Sequence, residues 1–343
     1  MTASADQLLI DGLLVSRWGP ETFAEMRKAG LTAANCTCSV WEGFDDTMAN
    51  LARFLTWFRE YPDLIRQVES VEDIAAARAA GQTGVIFGFQ NTSALDGRLS
   101  NLEIFHKVGV RVVQLTYNYQ NEIGTGCYEA SGDGGLTEFG KAVVAEMNRL
   151  GILIDLSHVG LATSEDVLAE SSSPLAITHT APAGLHAHPR NKPDGLLRRI
   201  AENGGVVGIT PLSWFLPGGE DSTLADYFDA LEYAIDLVGE DHVAVGTDIT
   251  EGHGRAFLDW TMRNRGDGPA LVDVGDVADG FPMPAGLERI ADVGRLADRL
   301  SERGWASRRI DKVLGGNWLR LFGEVWAGVT DEVAITGDSW ATR

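Results

Sequence analysis

Eight short runs of apolar, β-prone residues recur along the chain, each followed by a stretch with helical periodicity. This alternation constrains the fold more than any other feature. The runs are Leu8–Val15, Leu31–Cys38, Thr83–Gln90, Val110–Tyr117, Leu153–His158, Leu175–His179, Gly204–Thr210 and His242–Asp248. Several of them, such as VIFGF, GILIDL and GGVVGI, are apolar on both faces, which suits parallel strands buried between a barrel interior and a helical shell. Helix signals fall between them. Ser70 to Asp73 reads as a capping box ahead of DIAAARAA, with Gly81 as a stop, and Thr223 with Asp226 opens ADYFDALEYAIDLVG in the same way. Thr137 precedes EFGKAVVAEMNRL, whose apolar positions keep helical spacing up to Gly151. Strand, helix and next strand in this rhythm are parallel crossover units, and eight in succession predict an α/β fold, a (β/α)8 TIM barrel. A doubly wound open sheet is the alternative.

Residues 1–343 read as a single such domain, with a loop insertion around 259–284, rich in Gly, Asp and Pro, and C-terminal helices over 287–325 that close the shell. No apolar stretch approaches the roughly 20 residues a bilayer span needs. The start, MTASADQLLIDG, lacks the basic and apolar regions of a signal peptide. Three cysteines, Cys36, Cys38 and Cys127, do not make a disulfide framework, so a cytoplasmic location is expected. Net charge is −21, from 49 acidic and 28 basic residues, a field that repels nucleic acid and anionic membranes. It predicts neither as a partner and otherwise reads as solubility.

In barrel enzymes the active site gathers at the C-terminal ends of the strands. The residues ending the runs are Leu13/Val15, Cys36/Cys38, Gln90, Tyr117, His158, His179, Thr210 and Asp248. A lone His158 reads first as a core histidine bonded to backbone. His179 repeats the placement on the next run, and two neutral imidazoles at adjacent strand ends suit one metal ion. Asp248 reads either as a helix N-cap or as a carboxylate that binds metal or moves a proton. Arg190, in HAHPRNKPD, is a surface arginine or a clamp for a substrate carboxylate, and His186 and His188 read as loop residues around it. Cys127 and Glu129, in GTGCYE, lie on a loop expected over the mouth, where the thiol is an ordinary loop cysteine, a nucleophile or an extra ligand. Cys36 and Cys38 share a parity and read as interior packing.

The segments DLSH, ITHT, HPRNKPD, VGTD and GGNWLRLF, with GGLTEFG and EMNRLGILIDLSHV, together resemble the membrane dipeptidase (renal dipeptidase) family of zinc metallohydrolases on (β/α)8 barrels. The resemblance implies that His158 and His179 hold the second zinc, that Asp248 belongs to the first and handles the proton, and that Arg190 binds a substrate carboxylate. It also implies a homodimer. The departures cluster at the other metal. Where the family reads aspartate–glycine–histidine–any–aspartate, this chain has Asp11-Gly12-Leu13-Leu14-Val15. Its bridging glutamate is Gln90, and its substrate-binding histidine is Tyr117.

These residues predict a small-molecule hydrolase acting on a peptide or other amide bond in a carboxylate-bearing substrate. His158, His179 and Asp248 are the expected metal and catalytic residues, with Arg190, Tyr117, Gln90 and Cys127 around the substrate. One zinc ion per chain is expected in place of two, or none. The competing readings are a metal-independent acid–base enzyme (isomerase, lyase or cyclase) in the same pocket and a non-catalytic binding protein.

Overall fold

The computed structural model describes residues 7–129, 132–262 and 280–327. Within them one parallel sheet contains β1 (Ile10–Leu14), β2 (Ala33–Ser39), β3 (Ile65–Val68), β4 (Thr83–Phe89), β5 (Val110–Gln114), β6 (Leu153–Asp155), β7 (Ala176–Thr180), β8 (Val206–Ile209) and β9 (Val243–Val245). Eight of these run in the order β1-β2-β4-β5-β6-β7-β8-β9. Leu14 then bridges Ile249, and the Asp248 amide donates to Leu13 O at 2.9 Å, so the ring closes. The open-sheet alternative fails on these contacts.

The extra strand, β3, escapes a pattern search because only its two ends are apolar and buried. It pairs with Thr83–Ile86 of β4, below the Phe87–Phe89 stretch that β5 occupies. The expected caps are present: Ser70 and Thr223 each form a reciprocal box, and Thr137 Oγ1 accepts from the Gly140 amide at 2.9 Å.

One residue from each ring strand (Ile10, Ala33, Ile86, Val112, Leu153, Ala176, Val206, Ala244) joins a buried cluster at the N-terminal end of the barrel. That layer is filled from below by Trp318, Leu321, Phe322 and Val325 of the helix Asn317–Trp326. The Trp318 indole enters so far that a Cβ at Gly12 would lie 2.5 Å from its Cζ2, which explains the glycine in β1. Its Nε1 donates to Val245 O at 2.9 Å.

Two seams have a poor backbone ladder. The β6–β7 pair has a single register contact, Asp155 with Ala176, and β1 meets the chain after β9 through one bridge. A buried aspartate clasps each. Asp11 accepts from the Leu13 amide and from the Thr247 amide and hydroxyl at 3.1, 2.8 and 2.6 Å. Asp155 accepts from the amides and hydroxyls of both Ser157 and Thr178 at 2.5–3.0 Å. Side-chain bonds there replace missing ladder bonds and turn the chain out of the strand.

The segment read as a loop from Asp259 begins inside a helix, Arg255–Thr261. Its stretch 263–279 lies outside the described residues. The chain returns with Phe281 N on Thr250 Oγ1 at 3.0 Å, and the helices Ile290–Val293, Leu296–Glu302 and Ser307–Asp311 follow before the plug. No described helix is long and apolar enough to cross a membrane.

Candidate active site

Gln114, Asp155 and Val245 end their strands, so Tyr117, His158 and Asp248 each stand three residues beyond the ladder, on the turns at the barrel mouth. The strands are shorter than the apolar runs because the chain leaves the ladder there, with Asp155 and Asp11 holding two of the turns. Tyr117, His158, Arg190 and Asp248 line one cavity of about 370 Å³, walled further by Tyr128 and Phe215.

Asp248 adopts φ 58°, a left-handed conformation that strains a residue with a Cβ. The strain is held by its amide bond to Leu13 O. No described residue donates a hydrogen bond to its carboxylate, which faces the cavity. Burial pushes this carboxyl up to about 7, and Arg190 pulls against that. It is not an N-cap, since Gly254 precedes the next helix.

His158 and His179 meet edge to edge, with their Nε2 atoms 3.0 Å apart. The Nδ1 atoms fix the tautomers. His179 Nδ1 lies 2.8 Å from Thr178 Oγ1, whose own proton goes to Asp155 Oδ2 at 2.6 Å. The hydroxyl is therefore the acceptor, and His179 carries its proton on Nδ1. His158 Nδ1 lies 2.8 Å from Asn118 Oδ1 and, with the amide in this orientation, is likewise protonated. In that orientation Asn118 Nδ2 has no partner and two Nε2 lone pairs point at one another across 3.0 Å, an arrangement a shared cation stabilises; with the amide turned over, His158 carries its proton on Nε2 and donates it to His179 Nε2. Burial holds both rings well below their ordinary pKa, with Arg190 adding to the effect, so both are neutral donors. Tyr117 stacks on His158 at 4.1 Å and 23°.

Arg190 is buried, donating to Ser157 O at 2.5 Å and His179 O at 3.2 Å, with its guanidinium 5.3 Å from the Phe215 ring centroid. No described carboxylate forms an ion pair with it. Lys192, also buried, donates to Val159 O and makes no ion pair with a described residue either; burial lowers it to about 8. Two buried cations with no paired carboxylate make this wall of the mouth strongly anion-seeking.

Three expected placements need correction. Asp248 does not join the histidine pair as a metal cluster, and no three His, Cys, Asp or Glu side chains come together to hold an ion among the described residues. Gln90 turns away from the cavity and donates to Thr37 Oγ1 at 3.0 Å, satisfying its amide inside the barrel. Cys127 lines a separate cavity with Glu129, Asp133 and Lys192. Its amide donates to His158 O at 2.7 Å, and its thiol, raised by burial, lies against Arg190. His188 proves more central than a loop residue: it lines the Asp248 cavity and its Nδ1 accepts from the Arg190 amide at 3.2 Å. The sequence reading missed Asn118, Thr178, Asp155 and Lys192, although the polar strings LTYN and IDLSH carried a signal for the first and third.

A family model described as membrane dipeptidase (peptidase family M19) matches residues 20–264 and 264–332, most of the chain. The chain belongs to the membrane dipeptidase family. Dipeptidase aclJ of Aspergillus oryzae is 30% identical over 286 residues, covering 82% of this chain and 61% of that protein. An uncharacterized dipeptidase of Schizosaccharomyces pombe is 30% identical over 271 residues, covering 77% and 58%. This member thus spans about three fifths of the length of these curated relatives. Among solved structures, an amidohydrolase from Pseudomonas aeruginosa is 46% identical with a TM-score of 0.90, covering 94% of this chain and 98% of that one. A metallo peptidase from Rhodobacter sphaeroides, liganded with a phosphinate mimic of the dipeptide L-Ala-D-Ala, shares the fold at TM-score 0.78 and 20% identity, covering 94% and 100%.

Proposed function

We propose that this family member hydrolyses an amide bond in a small substrate bearing a carboxylate, with at most one metal ion. The observation that carries the reading is Arg190: a buried guanidinium that no described carboxylate pairs with, opening onto the same cavity as the Asp248 carboxylate, to which no described residue donates a hydrogen bond. A substrate carboxylate supplies the missing anion at Arg190 in bidentate form. Asp248, near neutrality, takes the proton from the attacking water and passes it to the leaving amine. Kinship with the dipeptidases and the amidohydrolase supports the reaction class.

The histidine pair fits one ion in donor chemistry, since two nitrogens on a tetrahedral zinc stand roughly 3.3 Å apart. An ion held there supplies Lewis acidity. The first-strand position does not fit a second: Leu13 and Val15 have no donor atoms and Gln90 is committed to Thr37. With Asp248 apart from the pair, the described residues supply two ligands. That shortfall favours a second reading, metal-independent acid–base chemistry by Asp248 in the same cavity. A cytoplasmic homodimer completes the proposal, tested by sizing the purified protein.

Metal analysis of the purified protein, with turnover of a dipeptide and N-acyl amino acid panel, separates the readings. The mononuclear hydrolase requires near one equivalent of zinc, and His158→Ala must lose both metal and turnover. Full activity of that variant, or of protein stripped by chelator, sinks the metal-dependent reading.

A further inference from the structure

A second cavity, of about 310 Å³, opens on the same face above the ends of β1 and β2. No residue lines both cavities. Between them stands Trp41, edge-on to Tyr117 at 5.1 Å and bonded through Nε1 to Thr261 O at 3.3 Å. The floor includes Val15 and Cys38. Val15 stands where the family resemblance places a metal ligand, so this half of the mouth has an apolar base in place of an ion.

The walls are aromatic and braced against one another. Trp18 packs on Phe54 at 5.7 Å, and Phe54 meets Trp57 at 5.1 Å and 82°. Trp18 is fixed by its Nε1 bond to Thr37 O at 2.8 Å. On the opposite side Phe257 packs on Trp260 at 5.7 Å. Rings held this way form a slot before any ligand arrives, which lowers the ordering cost of binding.

The charged side chains of the lining are two arginines and one glutamate. Arg17 and Arg53 line the cavity at its exposed edge, and neither makes an ion pair with a described residue. Glu42, the one acidic side chain in the lining, is fully engaged: it accepts from the amides of Val40 and Trp41 at 2.7 and 3.1 Å and from Asn50 Nδ2 at 3.4 Å. His253, also in the lining, is kept neutral, since burial pushes its ring down to about 4. Two guanidiniums with no ion pair among the described residues, over an aromatic slot, stand out on a chain of net charge −21.

We propose that this cavity is a binding site for a small anion with a flat apolar body, of the aromatic carboxylate class. The rings take the apolar body and the rim arginines take the carboxylate. The site shares no lining residue with the Asp248 cavity.

Calorimetric titration of the whole protein with phenylacetate and with benzylamine, which share size and differ in charge, tests the proposal. Phenylacetate should bind about tenfold or more tightly than benzylamine, and the double variant R17Q/R53Q should lose about tenfold in phenylacetate affinity. Both arginines are exposed, so the variant keeps the fold, checked by its circular dichroism. Equal affinity for the two probes overturns the proposal. So does phenylacetate binding unchanged in R17Q/R53Q, which would assign the ligand to Arg190, or no heat up to about 10 mM.

Discussion

At the scale of residues, position and orientation were unequally readable. Strand-end spacing is a backbone property, so it places His158, His179 and Asp248 at the barrel mouth. It could not say where a side chain turns once there. Gln90 ends a strand as expected, yet its amide finds Thr37 inside the barrel and leaves the cavity. The tautomers of the histidine pair depend on Asn118 and Thr178, partners that sequence spacing does not connect. Asp248 is the sharpest case for a functional role, because a strained backbone presents a buried carboxylate to which no described residue donates a hydrogen bond. Asp248→Asn should therefore lower kcat by about 10²- to 10⁴-fold while changing KM little, since the amide keeps the shape and loses the proton transfer. A kcat within a few-fold of the parent enzyme would remove Asp248 from the chemistry.

Among the elements, helices announced themselves more faithfully than strands. Ser70, Thr137 and Thr223 act within one turn of their own sequence, so their caps were legible. The strand β3 was not, because Arg66 and Gln67 point to Gln82 and Val108 and break the apolar pattern. Nor were the seam clasps, which join residues 236 apart in the case of Asp11 and Thr247. These clasps carry a stability prediction. Asp11→Ala leaves two buried amides and a hydroxyl without their acceptor, each worth about 1–3 kcal/mol. Asp11→Asn keeps the Oδ1 acceptor for both amides, and the Thr247 hydroxyl can rotate to accept instead. Denaturant unfolding should therefore rank the alanine variant at least about 2 kcal/mol below the asparagine variant. Equal loss in the two would mean that the negative charge, rather than its acceptor atoms, holds the seam.

For the whole molecule, eight apolar runs with short crossovers leave few topologies, and the closed ring follows from their number. The role of GGNWLRLF was less visible. It reads as part of the closing shell, whereas the helix Asn317–Trp326 enters the barrel and fills a layer to which all eight ring strands contribute. The plug links the ring strands into one cooperative unit at the end remote from the cavity. Trp318→Ala removes the largest fully buried side chain and leaves Val245 O unpaired, at a cost of about 3–5 kcal/mol. For a chain of 343 residues that corresponds to a melting temperature lower by roughly 4–7 °C, read by calorimetry. Because the mouth is built from the opposite strand ends, the same variant well below its melting point should keep phenylacetate affinity within about twofold. A variant that melts as the parent does would mean that the barrel base collapses around the vacated space. One that loses the ligand while still folded would mean that the base and the mouth of the barrel are mechanically coupled.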